Sequence, residues 1–133
     1  MSRMLFHAVH HIAIICGDYS VSRDFYVSKL GLRVLREHWR AERRSHKLDL
    51  DAGGGVQIEL FSFPDTPPRP SHPEACGLRH LSWRVADLDT TVAALQAQGI
   101  VVEPVRSDPY TGARFTFFAD PDGLPLELYE SSP

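Results

Sequence analysis

The sequence predicts an α+β fold made of two tandem β-α-β-β-β modules. An internal repeat carries that prediction, supported by matched turn signals and a matched His-to-Glu spacing. The segments HHIAIICGDYSVSRDFYVSKLGLRVL, from His10, and RHLSWRVADLDTTVAALQAQGIVVE, from Arg79, follow one plan. Each opens near a histidine, runs through strand-type sequence, and reaches an Asp seven positions after His11 or His80, at Asp18 or Asp87. A helical stretch, a Gly (Gly31, Gly99) and Val-rich sequence follow. Each half closes on a Glu between aliphatics, at Ile58–Leu60 and Leu126–Leu128. Glu59 lies 48 positions after His11, and Glu127 lies 47 after His80.

The elements can be justified in order. The first strand carries His11. Asp18, Ser20 or Ser22 caps the first helix, whose apolar stripe is Val21, Phe25 and Leu30, and Gly31 stops it. Strands are predicted over Arg33–Glu37, Ser45–Asp51 and Val56–Phe63. In the second half Asp87 or Asp89 caps a helix with Val92, Ala94 and Leu95 on its buried stripe, ending at Gly99. Strands then run over Val101–Arg106, Arg114–Ala119 and Leu124–Tyr129. DAGGG (Asp51–Gly55) and DPDG (Asp120–Gly123) carry the turn chemistry that joins the last two strands of each half. Module one covers about 5–63 and module two about 77–130, within a single domain spanning 1–133. Between them, 64–73 holds five of the ten prolines and reads as a stiff, extended linker.

Composition sets the class. At 133 residues and 43% apolar, the chain folds as one ordinary domain. A net charge of -3 argues against nucleic-acid binding, which shows as a clustered basic excess. No apolar run approaches the ~20 residues that span a bilayer, so no membrane partner is expected. The opening MSRMLFHAVHHIAII holds three histidines and no small-residue cleavage site, and reads as the first strand, not a signal peptide. Cys16 and Cys76 are too few for a disulfide framework. They read as buried free thiols in a reducing compartment, which gives a cytoplasmic location.

Strand alternation then selects the chemistry. Leu81, Trp83 and Val85 suit packing under a helix, which leaves His80, Ser82 and Arg84 on the opposite face. The same register puts His11 opposite Ile12, Ile14 and Cys16, Glu59 with Gln57, Phe61 and Phe63, and Glu127 with Pro125 and Tyr129. All four His and Glu residues thus turn away from the helices, as one concave pocket requires. We read His11, Glu59, His80 and Glu127 as ligands of one divalent metal. His7, His10, His38, His46 and His72 have no repeat mate, and His10 is placed on the other face.

With these residues in view, the chain resembles the vicinal oxygen chelate superfamily (glyoxalase I, bleomycin resistance, dioxygenase). It is most similar to small bacterial glyoxalase I-related proteins. The resemblance runs through HHIAI, FYVSKLGL, IELF, GLRHLSW and DPDGLPLELYE. It implies that paired β-α-β-β-β modules form a curved mixed sheet around a metal cleft. It also implies a homodimer, with the metal in some members held across the subunit interface.

Two imidazoles and two carboxylates suit nickel, zinc, manganese, iron or cobalt, with no thiolate to impose tetrahedral zinc. A substrate with adjacent oxygens can chelate such an ion, which stabilises an enediolate-type intermediate. By resemblance to glyoxalase I, Glu127 is both ligand and general base. The expected activity is a lyase/isomerase reaction of glyoxalase I type on a small molecule. Relatives of that type carry an Arg four residues after the first ligand His. Here that position is Ile15, which argues against glutathione. Arg84 is the matching residue of the second module and is expected to anchor an anion. Arg36, Arg40, Arg43, Arg44, Lys47, Arg69 and Arg114 are further candidates for anionic contacts. Phe61, Phe63 and Tyr129 are expected to line the substrate pocket. Rival readings are an Fe(II) extradiol dioxygenase, an epoxide-opening resistance enzyme, and a metal-free binding or resistance protein. The first two need three ligands and the last needs none, so four ligand-type residues favour the isomerase.

Overall fold

The computed structural model describes residues 3–131. The chain divides into two compact units, Met1–Pro67 and Pro68–Pro133, each with its own mixed four-stranded sheet. The first unit holds β1 (His11–Cys16), α1 (Tyr19–Arg23), β2 (Arg33–Arg40), β3 (Ser45–Asp51) and β4 (Gln57–Ser62). The second holds β5 (Leu81–Val85), α2 (Leu88–Ala97), β6 (Arg106–Ser107), β7 (Arg114–Ala119) and β8 (Pro125–Glu130). Strand order is β1-β4-β3-β2 in one sheet and β5-β8-β7-β6 in the other, so the sequence repeat is a topological repeat. In each sheet the first strand pairs in parallel with the last, and the remaining pairs are antiparallel.

Alternation explains the cores. Ile58 and Leu60 of β4 are fully buried beside Leu48 and Leu50 of β3, and Leu126 and Leu128 of β8 are their counterparts. Each such aliphatic side chain contributes about 1.5–3 kcal/mol by leaving water.

Of the predicted caps, Asp18 and Asp87 are the ones used. Asp18 accepts from the Val21 N–H at 3.2 Å and Asp87 from the Thr90 N–H at 3.1 Å. At the end of α2, Ile100 N–H donates to the Leu95 carbonyl and Gly99 N–H to that of Gln96, a Schellman closure. Gly99 sits at φ +79°, a conformation that favours glycine. The closing residues Leu95 and Ile100 are both buried.

Several expectations need correction. The first helix leaves the α pattern after Arg23 and continues as a π-helical segment, Asp24–Lys29, where Leu30 N–H reaches back to the Phe25 carbonyl. Ser22, Phe25 and Tyr26 are buried, while Val21 is 52% exposed. On α2, Leu88 joins Leu95 in the core and Ala94 is exposed, so the stripe begins one turn earlier than predicted. β2 runs to Arg40, because β3 continues to pair with it as far as Ser45.

Conversely, β6 shrinks to two residues and Val101 is exposed. Pro104 lacks the N–H that a ladder needs, and ahead of β6 Glu103 N–H bonds the Phe117 carbonyl while its own carbonyl accepts from Thr116 Oγ1. Strand β1 starts at His11, so 3–10 precede it, with Met4, Leu5 and Phe6 exposed. Cys16 is buried but Cys76 is exposed. The segment 64–73 is not extended throughout: Ser71–Glu74 turns, and Arg69 donates to the carbonyls of Leu78 and Arg79.

Candidate metal and substrate site

In the first unit, the parallel register sets Ala13 beside Glu59, so His11 and Glu59 share the face turned from the helix. His11 Nδ1 lies 3.4 Å from Glu59 Oε2. The antiparallel register of β3 adds Asp49 opposite Glu59 and Lys47 opposite Phe61. Lys47 Nζ lies 3.7 Å from Glu59 Oε1 and donates to Asp49 at 2.8 Å. Asp49 is buried and also accepts from Arg36 Nε at 2.9 Å. Burial pushes the Asp49 carboxyl up, but the Lys47 and Arg36 hydrogen bonds outweigh that and hold it below the usual carboxylate range.

His10 is not separated from His11 as predicted. The two Nδ1 atoms lie 2.9 Å apart and the rings meet edge to face. His10 precedes the strand, where alternation no longer directs its side chain.

In the second unit, Glu127 has Ser82 beside it in β5 and Phe117 beside it in β7. Glu127 Oε1 lies 3.6 Å from Nε2 of His80, which immediately precedes β5. The His80 ring meets Phe117 edge to face at 5.1 Å. Arg79 Nη1 contacts His80 Nδ1 at 3.0 Å and Arg79 Nε donates to Glu74.

The structure therefore brings His11 to Glu59 and His80 to Glu127. No group of three or more His, Cys, Asp or Glu side chains placed to hold a metal occurs among the described residues. The donor chemistry of each pair nonetheless fits a cation. Two ligands at right angles, ~2.1 Å from an ion, are about 3 Å apart, and each pair is close to that spacing. Both carboxylates are mostly shielded, at 13% and 14% side-chain exposure, and accept no closer hydrogen bond from their histidine.

The predicted substrate residues divide. Phe61 stacks on Phe63, ring centroids 6.0 Å apart. Tyr129 stacks against Phe115, and its hydroxyl donates to Asp108 at 2.9 Å and pairs with Thr111. Arg84 is exposed and sits opposite Tyr129 on the Glu127 face. Arg114, by contrast, is taken up by Glu130 and Asp89, on the helix side. Within the second unit a cavity of about 700 Å³ is bordered by Phe117, Pro125, Arg79 and Arg106. Phe117 and Pro125 share the Glu127 face, but neither His80 nor Glu127 borders this cavity.

Sequence reasoning missed the Lys47–Asp49–Arg36 chain as partners of Glu59. The signal was present: a tight DAGGG turn pairing Asp51 with Gln57 must also pair Asp49 with Glu59. It missed a second group, in which Glu37 binds Arg23 at 2.8 Å and Tyr19, while Tyr19 stacks on His46. Arg23, then Tyr19, hold the Glu37 carboxyl down to about 2. Burial, then Glu37, push the Tyr19 hydroxyl up. These groups lie on the helix side of the sheet, where they serve packing.

Comparison with known proteins identifies the family. Residues 8–128 match the family model of the Glyoxalase/Bleomycin resistance protein/Dioxygenase superfamily. The chain is 60% identical over 127 residues to the uncharacterized protein YwkD of Bacillus subtilis, covering 96% of this chain and 99% of that one. It is 30% identical over 142 residues to a 2-epi-5-epi-valiolone epimerase of Actinomyces sp., covering 91% and 78%. The solved structure of a glyoxalase family protein from Enterococcus faecalis superposes with a TM-score of 0.89 at 50% identity, covering 96% and 100%. With nearly its whole length matched, this chain belongs to the glyoxalase/bleomycin resistance protein/dioxygenase superfamily.

Proposed function

We propose that this protein is a divalent-metal-dependent lyase/isomerase of glyoxalase I type, acting on a small molecule with adjacent oxygens. One observation carries the reading: each module sets an imidazole nitrogen beside a shielded carboxylate, at 3.4 Å in one and 3.6 Å in the other. We assign His11, Glu59, His80 and Glu127 to one ion, with the two pairs joined within a chain or across a homodimer. The ion, whether nickel, zinc, manganese, cobalt or iron, supplies Lewis acidity toward the substrate oxygens.

The chain's own residues do the rest. Glu127 takes a proton from one carbon and returns it to its neighbour through an enediolate-type intermediate. Phe117 shields one side of that carboxylate and of His80, excluding water. Lys47, itself held by Asp49, stands beside Glu59 and leaves it the static partner. The epimerase relative favours proton-transfer chemistry, since epimerisation can likewise proceed by removing and returning one proton.

Metal analysis of chelator-stripped and reloaded protein, with assays on hemithioacetals of several thiols and on catechols, tests this. Uptake of one ion per site with isomerase activity is the expected result. No metal uptake sinks the reading, and catechol cleavage without isomerase activity replaces it with the dioxygenase.

A further inference from the structure

Strand register places Arg40 on the same face of the first sheet as His11 and Glu59. Arg40 pairs with Ser45, Lys47 pairs with Phe61, and Phe61 follows Glu59 by one alternation. The Arg40 guanidinium lies over the Phe61 ring at 5.0 Å and the Phe63 ring at 5.8 Å. Lys47 approaches Phe61 from 5.9 Å and Arg43 approaches Phe63 from 6.0 Å. A stack of this kind engages the flat face of a guanidinium and leaves its N–H edge for hydrogen bonds.

That edge is under-used. Arg40 donates one hydrogen bond, from Nη2 to Ser45 Oγ at 2.9 Å. Its Nε is buried and meets no acceptor. Three other arginines of this unit are taken: Arg23 by Glu37, Arg33 by Asp51 and Arg36 by Asp49. Lys47 is taken by Asp49 and Glu59. Among the described residues no carboxylate pairs with Arg40. A half-buried cation with an unsatisfied N–H, on the face of two candidate ligands, lacks one kind of partner, an oxyanion.

We propose that Arg40, seated on the Phe61–Phe63 shelf, anchors an oxyanion group of the substrate, a carboxylate or a phosphate. This rests on the assignment of the His11–Glu59 face as the reactive site, and gives the substrate an acidic end. The planar fork of Arg40 meets two oxygens of that group, and the aromatic shelf carries the adjoining carbon skeleton. The anchor is distinct from Arg84, which lies on the other sheet and is exposed.

The test uses the full chain, chelator-treated and zinc-loaded. Inorganic phosphate, mandelate and neutral mandelamide are titrated while the Arg40 Nε–H resonance is followed. The expected result is a saturable shift with phosphate or mandelate and none with mandelamide, the tighter anion identifying the acid class. Arg40→Met should weaken that binding at least ~10-fold, with Arg40→Lys between it and the parent. Metal uptake should be unchanged in both variants.

Anion binding in the chelator-treated protein reads this anchor alone, so a failure of the metal reading shows separately as absent zinc uptake. The anchor is overturned if neither anion moves the resonance, or if a folded Arg40→Met or Arg40→Lys variant binds like the parent. Loss of zinc uptake in both variants also overturns it, since Arg40 would then be supporting the sheet and not the ligand.

Discussion

Glu127 Oε1 lies 3.6 Å from His80 Nε2 with Phe117 as its strand neighbour, whereas Glu59 has the Lys47 ammonium 3.7 Å away. The two modules repeat the His–Glu pair but not its surroundings. At the repeat-equivalent positions, Lys47 and Asp49 flank Glu59, and Phe115 and Phe117 flank Glu127. The Lys47 ammonium crowds Glu59 on one side, whereas aromatic rings are the strand neighbours of Glu127. That difference supports the proposed role of Glu127 in moving the proton.

Replacing Glu127 with Gln should therefore lower turnover by about 10²–10⁴-fold at saturating metal, the range lost with a general base. Glu59→Gln should lose metal affinity first, and excess metal should restore much of its activity. Solvent-deuterium incorporation into substrate and product, with metal content measured in parallel, separates the two. Equal and unrestored losses in both variants would refute the division of roles.

Lys47→Met leaves the buried Asp49 with Arg36 as its remaining charged partner. We expect the metal-free protein to lose about 1–3 kcal/mol of stability, the cost of a buried acceptor that loses a partner. A divalent ion should bind more tightly, since a positive charge next to Glu59 is gone. Thermal unfolding with and without zinc reads both effects, and a variant as stable as the parent would show that Lys47 is not supporting Asp49.

His80 can bind an ion through Nε2 as a neutral imidazole only if Nδ1 carries the proton. A guanidinium cannot accept a hydrogen bond, so the Arg79 contact with Nδ1 opposes that tautomer. Arg79→Leu should raise metal affinity severalfold without altering the ligand set. Competition against a chromophoric chelator measures it, and unchanged or weakened binding would count against Nε2 as the donor.

The pH dependence of stability should reveal Glu37. Its folded-state value is about 2, below the ordinary 4.5. A depressed carboxyl adds stability that is present above about 4.5 and is lost as pH falls toward 2. The carboxylate is about a third exposed, so solvent screening limits the effect to about 1 kcal/mol. Glu37→Gln should flatten the melting temperature between pH 4.5 and pH 2, measured against the parent. A parallel decline in both proteins would place the acid sensitivity elsewhere.

Much was legible in the chain. The repeat at His11 and His80, the caps Asp18 and Asp87, and the inward aliphatics of Ile58–Leu60 and Leu126–Leu128 all follow from local rules. A period of two along a strand and a cap before a helix need no knowledge of neighbours. The same alternation put each candidate Glu on the face of its His, before any pairing was known.

Tertiary structure decided the rest, because it depends on which strands lie side by side. Register set Lys47 and Asp49 against Glu59 but Phe117 against Glu127, and set Arg40 over Phe61 and Phe63. The first helix continues as a π-helical segment in which Tyr26 is buried beside Phe25, a turn that no apolar period encodes. His10 reached His11 because it lies before the strand that would have parted them. The sequence by itself determined the candidate His and Glu residues and the face that each pair shares. Only the packing of strands decided what charge or ring stands beside each, since electrostatic environment is a property of neighbours in space and not of order along the chain.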